Sequence, residues 1–234
     1  MLNPDTIVPP GALAGLVEVA DQNPEAGLIG PAIYRPGKGT LQSSFRPFPS
    51  WEAAFRHYTV LKPLLRALPR RRWRPVIDSS TTVGGLIGAC LLIRREVFEK
   101  IGGLDERYFL FYEDLEYCRR AIRAGWKILY THKASVFHHS RKSTSKERSS
   151  RMGFVGVESL LHYLDSESEK PSRLLEPLFK LGYLLHLVCQ MIASGVKAIA
   201  YALARRAEKA AKHKGQFKRD ADFLWRFTGQ FLRL

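Results

Sequence analysis

The residues of this chain best suited to chemistry lie between Tyr108 and Ser143, where the sequence reads YFLFYEDLEYCRRAIRAGWKILYTHKASVFHHSRKS. An aromatic run brings two adjacent carboxylates, Glu113 and Asp114, to the start of a short amphipathic helix, and a strand pair leads on to two adjacent histidines, His138 and His139. Carboxylates and imidazoles take up and release protons and hold cations, so these groups could form one site. Leu115, Cys118 and Ile122 share one helical face, Arg119, Arg120 and Arg123 lie elsewhere, and Gly125 ends the helix. Asp114 therefore sits at or next to the N-cap. There its carboxylate either reacts or merely caps backbone N–H groups, a role worth about 1 kcal/mol. Glu116, in the first turn, reads as a surface acid suited to the helix dipole. Ala134, Val136 and His138 share one strand face and Ser135, Phe137 and His139 the other, so one of the two histidines faces the site.

The elements that must position these groups begin at once. Leu2 to Asp5 reads as the end of a buried strand entering a turn. After Pro9 and Pro10, Leu13, Leu16, Val17 and Ala20 mark an amphipathic helix that stops at Gln22-Asn23-Pro24. Leu28 to Tyr34 reads as a short strand, residues 44–50 as irregular, and Trp51, Ala54, Phe55 and Tyr58 as a helix. Arg66, Arg70, Arg71, Arg72 and Arg74 form a basic, proline-broken loop, read either as a solvated run or as a contact for anionic lipid or phosphate. Val83 to Ile93 is an apolar run with the flanks of one buried strand. Its glycines at 84, 85 and 88 indicate a bulge or close approach by another backbone or a ligand. Val97, Phe98 and Ile101 give a short helix capped at Gly102-Gly103, and residues 152–164 give another.

A chain of 234 residues with 45% hydrophobic and 11% aromatic content can bury a real core. Lys and Arg outnumber Asp and Glu by 37 to 22, a net +15, so the favoured partners are anionic. No recognised reading motif accompanies the arginines, and nucleic acid ranks behind phosphates and acidic lipids. Cys90, Cys118 and Cys189 lack metal spacing and fit free thiols in a reducing compartment. The N-terminus shows no basic segment followed by an apolar one, so a cytoplasmic location is expected.

The last quarter differs in kind. Between Leu174 and Leu203, Lys180, His186, Gln190, Ser194 and Lys197 recur about once per turn in an otherwise apolar sequence, and a basic stretch from Arg205 to Arg219 follows. Only the 16 residues from Leu181 to Val196 lack Lys, Arg, Asp and Glu, short of the roughly 20 that span a bilayer. The pattern predicts either an interfacial helix lying on an anionic membrane or a helix packed on the protein's own core. The expected organisation is residues 1–165 as a catalytic part, 166–173 as a linker and 174–234 as a basic amphipathic helical tail.

Asn3-Pro4-Asp5, Gly88 to Arg95, Gly102 to Glu106, Phe111-Tyr112-Glu113-Asp114, Cys118-Arg119-Arg120, Ala124-Gly125-Trp126 and His138 with Ser143 occur in an order that resembles family 2 glycosyltransferases, in particular the rhamnosyltransferase-like branch. The resemblance implies an α/β fold of the GT-A type, here partial. It implies an inverting transfer of a sugar, rhamnose being the candidate, from a nucleotide-sugar to a saccharide or lipid-linked acceptor. It places the catalytic base on Asp114, substrate contacts on Asn3, Gly88 and Glu113, and a divalent cation, Mg2+ or Mn2+, on Asp5 and His138. Glu116 stands where many members have Asp. The strand-helix units that hold the nucleotide should precede Asn3, and at about 30 residues per unit roughly 80 to 100 residues are missing. The chain alone is therefore expected to be inactive, peripheral on the inner face of the cell membrane and bound to its anionic surface. A noncatalytic membrane- or polyanion-binding protein on the same fold is the alternative.

Overall fold

A computed structural model of the chain describes residues 1–37, 39–65, 80–139, 149–167 and 174–233, which fall into two compact units, residues 1–48 with 80–139 and residues 49–65 with 149–233. The arginine-rich loop at 66–74, most of the Ser- and Lys-rich stretch after Ser140 and most of the expected linker lie outside the described residues.

The first unit is an α/β sandwich. Its sheet runs in the order β1 (Thr6–Ile7), β7 (Lys127–His138), β2 (Ala26–Tyr34), β6 (Leu92–Ile93), with β4 (Thr81–Thr82) also paired to β7. β2 and β7 are parallel, while β1, β4 and β6 pair antiparallel to their neighbours. Helix α1 (Ala12–Gln22) covers one face, packing Leu16 and Val19 on Ile29, Ile33, Leu129 and Val136. On the other face, α4 (Arg95–Ile101) and α5 (Glu113–Arg123) bring Val97, Tyr117, Cys118 and Ala121 against Leu28, Ile128 and Tyr130. A central strand pair covered on both sides must be apolar throughout. The sequence AGLIGPAI meets that demand, with every residue from Ala26 to Ile33 buried.

Several expectations change here. The buried stripe of α1 is Ala12, Leu16, Val19 and Ala20, while Leu13 and Val17 are exposed. A Cβ at Gly15 would lie 3.1 Å from the Lys133 carbonyl oxygen, so the close approach of α1 to the sheet rotates its small residues inward. The expected strand pair ending at His138 is one strand. Pro31 pairs with Thr131 and Ala32 with Ser135, so residues 132–134 bulge out of the ladder. The run from Val83 to Ile93 is not one strand. Gly85–Leu86 (β5) pairs with Phe45–Arg46 (β3) in a separate ribbon, and the chain then turns to deliver β6 to the main sheet. Leu2 is half exposed rather than buried; it bridges Cys90, and Met1 exchanges backbone hydrogen bonds with Leu91 at 2.8 and 2.9 Å.

The second unit is helical. It contains α2 (Trp51–Tyr58), α3 (Lys62–Leu65), α6 (Ser149–Glu167), α7 (Leu175–Leu203) and α8 (Ala207–Phe231). Ser50 caps α2 by accepting from the Ala53 N–H. Aromatic rings bind these helices together: Phe55 meets Phe179 edge-on at 5.7 Å, Tyr183 meets Phe231 at 5.3 Å, and Phe154 stacks on Phe227 at 4.9 Å. Within α7 the polar positions Lys180 and Ser194 turn inward, while Lys197 is exposed. Lys180 is buried against Glu176 at 2.6 Å and Ser194 is buried, while Leu178, Leu181, Leu185, Ile192, Val196 and Ile199 are exposed. Lys180 thus belongs to the helical interior, not to a headgroup-facing side. By length and composition α7 could cross a membrane.

Gly27 is crowded from two sides, since a Cβ there would lie 2.7 Å from Val97 Cγ2 and 2.8 Å from Trp126 Cβ. Val97 is fully buried and cannot withdraw. Gly27→Ala is expected to lower stability by about 1 to 3 kcal/mol, read as a drop in the denaturant midpoint. An unchanged midpoint would mean that α4 moves aside freely.

Candidate active site

The segment from Gly88 to Leu91 joins two clusters of polar side chains. The Gly88 N–H donates to Asp114 Oδ2 at 2.7 Å. One residue on, the Ala89 carbonyl accepts from the Asn3 N–H at 3.0 Å and from the Thr6 hydroxyl at 3.1 Å. The same short backbone therefore fixes Asp114 on one side and the Asn3 to Thr6 turn on the other.

That turn places Asp5 beside His138. β1 pairs with the end of β7 so that Thr6 opposes His138, and the His139 N–H donates to the Asp5 carbonyl at 3.1 Å. Asp5 Oδ1 then lies 3.1 Å from His138 Nε2, with both side chains largely buried. His139 contributes its backbone to the pairing, and His138 is the histidine that reaches the site. Asn3 acts through its backbone, accepting from the Thr6 N–H at 3.1 Å.

Asp114 occupies the second position of α5, two residues past the N-cap and one further in than a place next to the cap. The cap is Tyr112, and both Phe111 and Tyr112 hold φ near +70°, a left-handed conformation uncommon for non-glycine residues. Such strain persists only where surrounding contacts enforce it. Here it turns the aromatic run sharply into the helix. Asp114 Oδ1 accepts from the Leu115 N–H at 2.8 Å, one of the donors a helix start leaves unpaired. Each carboxylate oxygen keeps a second acceptor site beyond these two bonds.

Glycine at 88 lets the backbone pass close to Asp114. A Cβ there would lie 2.9 Å from Met1 Cε and 3.3 Å from Asp114 Cβ. Close approach, rather than a simple bulge, explains this residue, and the same holds at Gly85, where a Cβ would fall 2.5 Å from Leu115 Cδ2.

Burial pushes the Asp114 carboxyl above its usual pKa, opposed by the Gly88 and Leu115 N–H groups and by the positive charge of Arg46. Glu113 is also pushed up, first by burial and then by the charge of Asp114, and its buried Oε2 has no hydrogen-bond partner among the described residues. Glu116 is not the surface acid its position suggested. It is buried and pairs with Arg120 at 2.6 Å, while Arg120 donates to the carbonyls of Ile101 and Gly103. It ties the 101–103 turn to α5.

Residues 1–153 match the family described as "Glycosyltransferase like family 2". The chain belongs to that family. An N-acetylglucosaminyl-diphospho-decaprenol L-rhamnosyltransferase of Mycobacterium tuberculosis is 37% identical over 156 residues, 64% of this chain and 49% of that protein. The O-antigen biosynthesis protein RfbC of Myxococcus xanthus is 30% identical over 145 residues, 58% of this chain and 10% of that protein. Rhamnosyltransferase WbbL of Escherichia coli is 33% identical over 70 residues, 29% of this chain and 26% of that protein. The chain spans about half the length of the mycobacterial relative. As a family 2 member it carries a partial GT-A fold in its mixed α/β unit.

Among the described residues no group of three His, Cys, Asp or Glu side chains gathers as a metal site. The Asp5 and His138 pair nevertheless suits a divalent cation of the kind that nucleotide-sugar chemistry employs. Asp5 and His138 touch each other directly at 3.1 Å and supply one oxygen and one nitrogen, so they would hold such an ion only together with water and substrate phosphate. Sequence reasoning passed over Gln42 and Arg46. Gln42 Nε2 donates to the His138 carbonyl at 2.6 Å, and Arg46 sends its charge toward Asp114. The polar stretch QSSFR between proline turns was the available signal, and it reads as irregular chain.

The raised pKa values of Asp114 and Glu113 fix a sign. Their contribution to stability is full below the ordinary carboxylate range, about 3.9 to 4.3, and is lost as pH rises through the raised values. Carboxyl-carbon NMR is expected to show both groups titrating above that range. Stability should fall with rising pH across the same window, and Asp114→Asn should flatten the fall. A titration of Asp114 below about 3.9 would mean that its two N–H donors outweigh burial.

Proposed function

We propose that this chain is the acceptor-side part of an inverting glycosyltransferase that moves a sugar, rhamnose being the leading candidate, from a nucleotide-sugar to a lipid-linked or cell-surface saccharide. The observation that carries the reading is the fixed, half-buried Asp114 carboxylate, anchored by the Gly88 and Leu115 N–H groups and raised in pKa. A carboxylate so held keeps open acceptor positions on both oxygens. It takes the proton of an acceptor hydroxyl as that oxygen attacks the sugar's anomeric carbon, and the raised pKa makes it the stronger base. Glu113, adjacent and desolvated, positions the acceptor or the base. Asp5 and His138 would hold a divalent cation, which offsets the charge that builds on a departing nucleoside diphosphate. The match covers 49% of the mycobacterial relative, which is consistent with the donor's base and ribose being held by residues other than those described here.

The exposed apolar stripe of α7, with the basic sequence of α8 after it, favours association with an anionic membrane surface on the cytoplasmic side. The same stripe is what a noncatalytic membrane-binding protein on this fold would use.

Two measurements test these readings. A chain extended upstream to include donor-binding residues is expected to transfer sugar in a metal-dependent way, and Asp114→Asn should cut kcat by about 10²- to 10⁴-fold with the fold intact. Undiminished turnover in that variant would remove Asp114 as the base. In flotation assays the chain should bind anionic vesicles, and part of that binding should survive salt because the apolar face supplies it. Binding that vanishes entirely at about 1 M salt, where charge is screened within ~3 Å, would leave charge alone as its source.

A further inference from the structure

We propose that the outward face of the α7–α8 hairpin docks on an anionic bilayer, the hairpin lying in the plane of the membrane with Trp225 at the level of the lipid headgroups. The proposal deepens the membrane association read above and rests on it.

Two exposed patterns build this face. On α7 the apolar stripe from Leu178 to Ile199 recurs at helical spacing. On α8, Lys214, Lys218, Trp225 and Leu232 follow one another at helical spacing, so they share a side, and all four are exposed. Trp225 is 89% exposed, the highest value among the large apolar side chains of the described residues. An indole is apolar in body and carries one N–H donor, which suits it to the boundary between membrane and water. The opposite sides of the two helices converge on one aromatic cluster. Tyr183 of α7 meets Phe223 and Phe231 of α8 at 5.7 and 5.3 Å, and Phe223 meets Phe154 of α6 at 6.0 Å. With α6 against the inner side, both outward faces lie on the side away from it.

Contacts along the hairpin fix what stands beside what. Tyr201 stacks on His213 at 5.5 Å, a Cβ at Gly195 would lie 3.3 Å from Phe217 Cδ2, and Tyr183 lies between Phe223 and Phe231. Lys214 and Lys218 therefore flank the turns of α7 from Gly195 to Tyr201, and Trp225 stands level with the turn at Tyr183. An apolar stripe edged by lysines and an indole is the composition of a helix that lies in the interface of an anionic bilayer. Asp222, near Trp225 on α8, is already paired with Arg226. A second copy of the chain would bring the same lysines to the same face, so charge favours the bilayer. Crossing the membrane is the other use of a helix as long as α7. It would strip the buried side of Lys180 and Ser194 from its packing and part Tyr183 from the rings of α8. Lying in the plane keeps those contacts.

The test measures partition of the 234-residue chain onto vesicles of phosphatidylcholine and phosphatidylglycerol by flotation. Trp225→Ala is expected to weaken binding about tenfold, at low salt and at about 1 M salt alike. Joint replacement of Lys214→Ala and Lys218→Ala should weaken it about tenfold at low salt and have no effect at high salt. Cys189 reports the contact directly. It is exposed, four residues after Leu185 and three before Ile192, while Cys90 and Cys118 are buried. Vesicles should slow its reaction with a charged maleimide several-fold. Phe98→Ala, which removes an exposed ring from the other unit, is the control for general apolar adhesion. Equal weakening by Phe98→Ala overturns the proposal. Protection of Cys189 in a dimer before vesicles are added would give the face to a second copy, and retention of the chain in alkaline carbonate would make α7 a crossing helix; either result overturns in-plane docking. If wild type binds vesicles and Trp225→Ala, unfolding at the wild-type temperature, binds them equally, the docking face fails and membrane association stands on another surface. If wild type binds no vesicle, both fail.

Discussion

The contact on which the rest of the first unit depends is the hydrogen bond from the Gly88 N–H to the Asp114 carboxylate. A carboxylate brought to 2.7 Å of a backbone amide requires α5 and the 85–91 segment to touch without side chains between them. Glycine at 85 and 88 is what permits that contact, because a Cβ at either position would overlap Leu115 or crowd Met1 and Asp114. Once α5 is so placed, Cys118 and Ala121 on its inner face have only the sheet to pack on, and Tyr130 and Ile128 meet them there. The position of the carboxylate and the packing of the helix are one constraint.

The second constraint follows from the next residue. Ala89 cannot hold Asn3 and Thr6 unless the chain turns at residues 87–89 instead of continuing as a strand. This accounts for the division of an eleven-residue apolar run into β5, a turn and β6. The run is uniformly apolar because each piece is covered, yet apolarity says nothing about where the direction changes. Glycine spacing holds that information, and close approach is the reading that the distances support.

How much of this was legible in the sequence depends on the range of the interaction. Helices α1, α4 and α5 were marked by local apolar period and by glycine or asparagine stops, α2 by its apolar period alone, and their limits fall close to those expected. Asp114, His138 and Asp5 could be singled out as residues because a family motif runs through them. That Asp5 and His138 meet at 3.1 Å depends on the pairing of Thr6 with His138 across 132 positions of chain, which no local pattern encodes. The same holds for Glu116. Local reasoning put an acid in the first turn of a helix on the surface, where its dipole preference is satisfied. The turn at Ile101–Gly103, brought over it through Arg120, buried it. Arg46 and Gln42 escaped notice because nothing in QSSFR distinguishes a solvated loop from the wall of the cavity that residues 41–47 form with Tyr130.

The bulge in β7 explains why these groups converge at one end of the sheet. In open α/β sheets ligand sites gather beyond the carboxyl ends of the parallel strands, and Tyr34 and His138 are the carboxyl-terminal residues of β2 and β7. With the three residues 132–134 looped out, the two strands resume their register, and Tyr34 comes opposite Phe137, one residue short of His138. Gln42 then reaches the carbonyls of both Tyr34 and His138, a span that closes only if the two strand ends are level. In a ladder without the bulge, Tyr34 would stand opposite residue 134, and the chain would run four residues past the end of β2 before His138. The imidazole would then project beyond the sheet instead of standing beside Asp5. An irregularity in a strand, and not the strand's hydrophobic pattern, is what sets the histidine at the site.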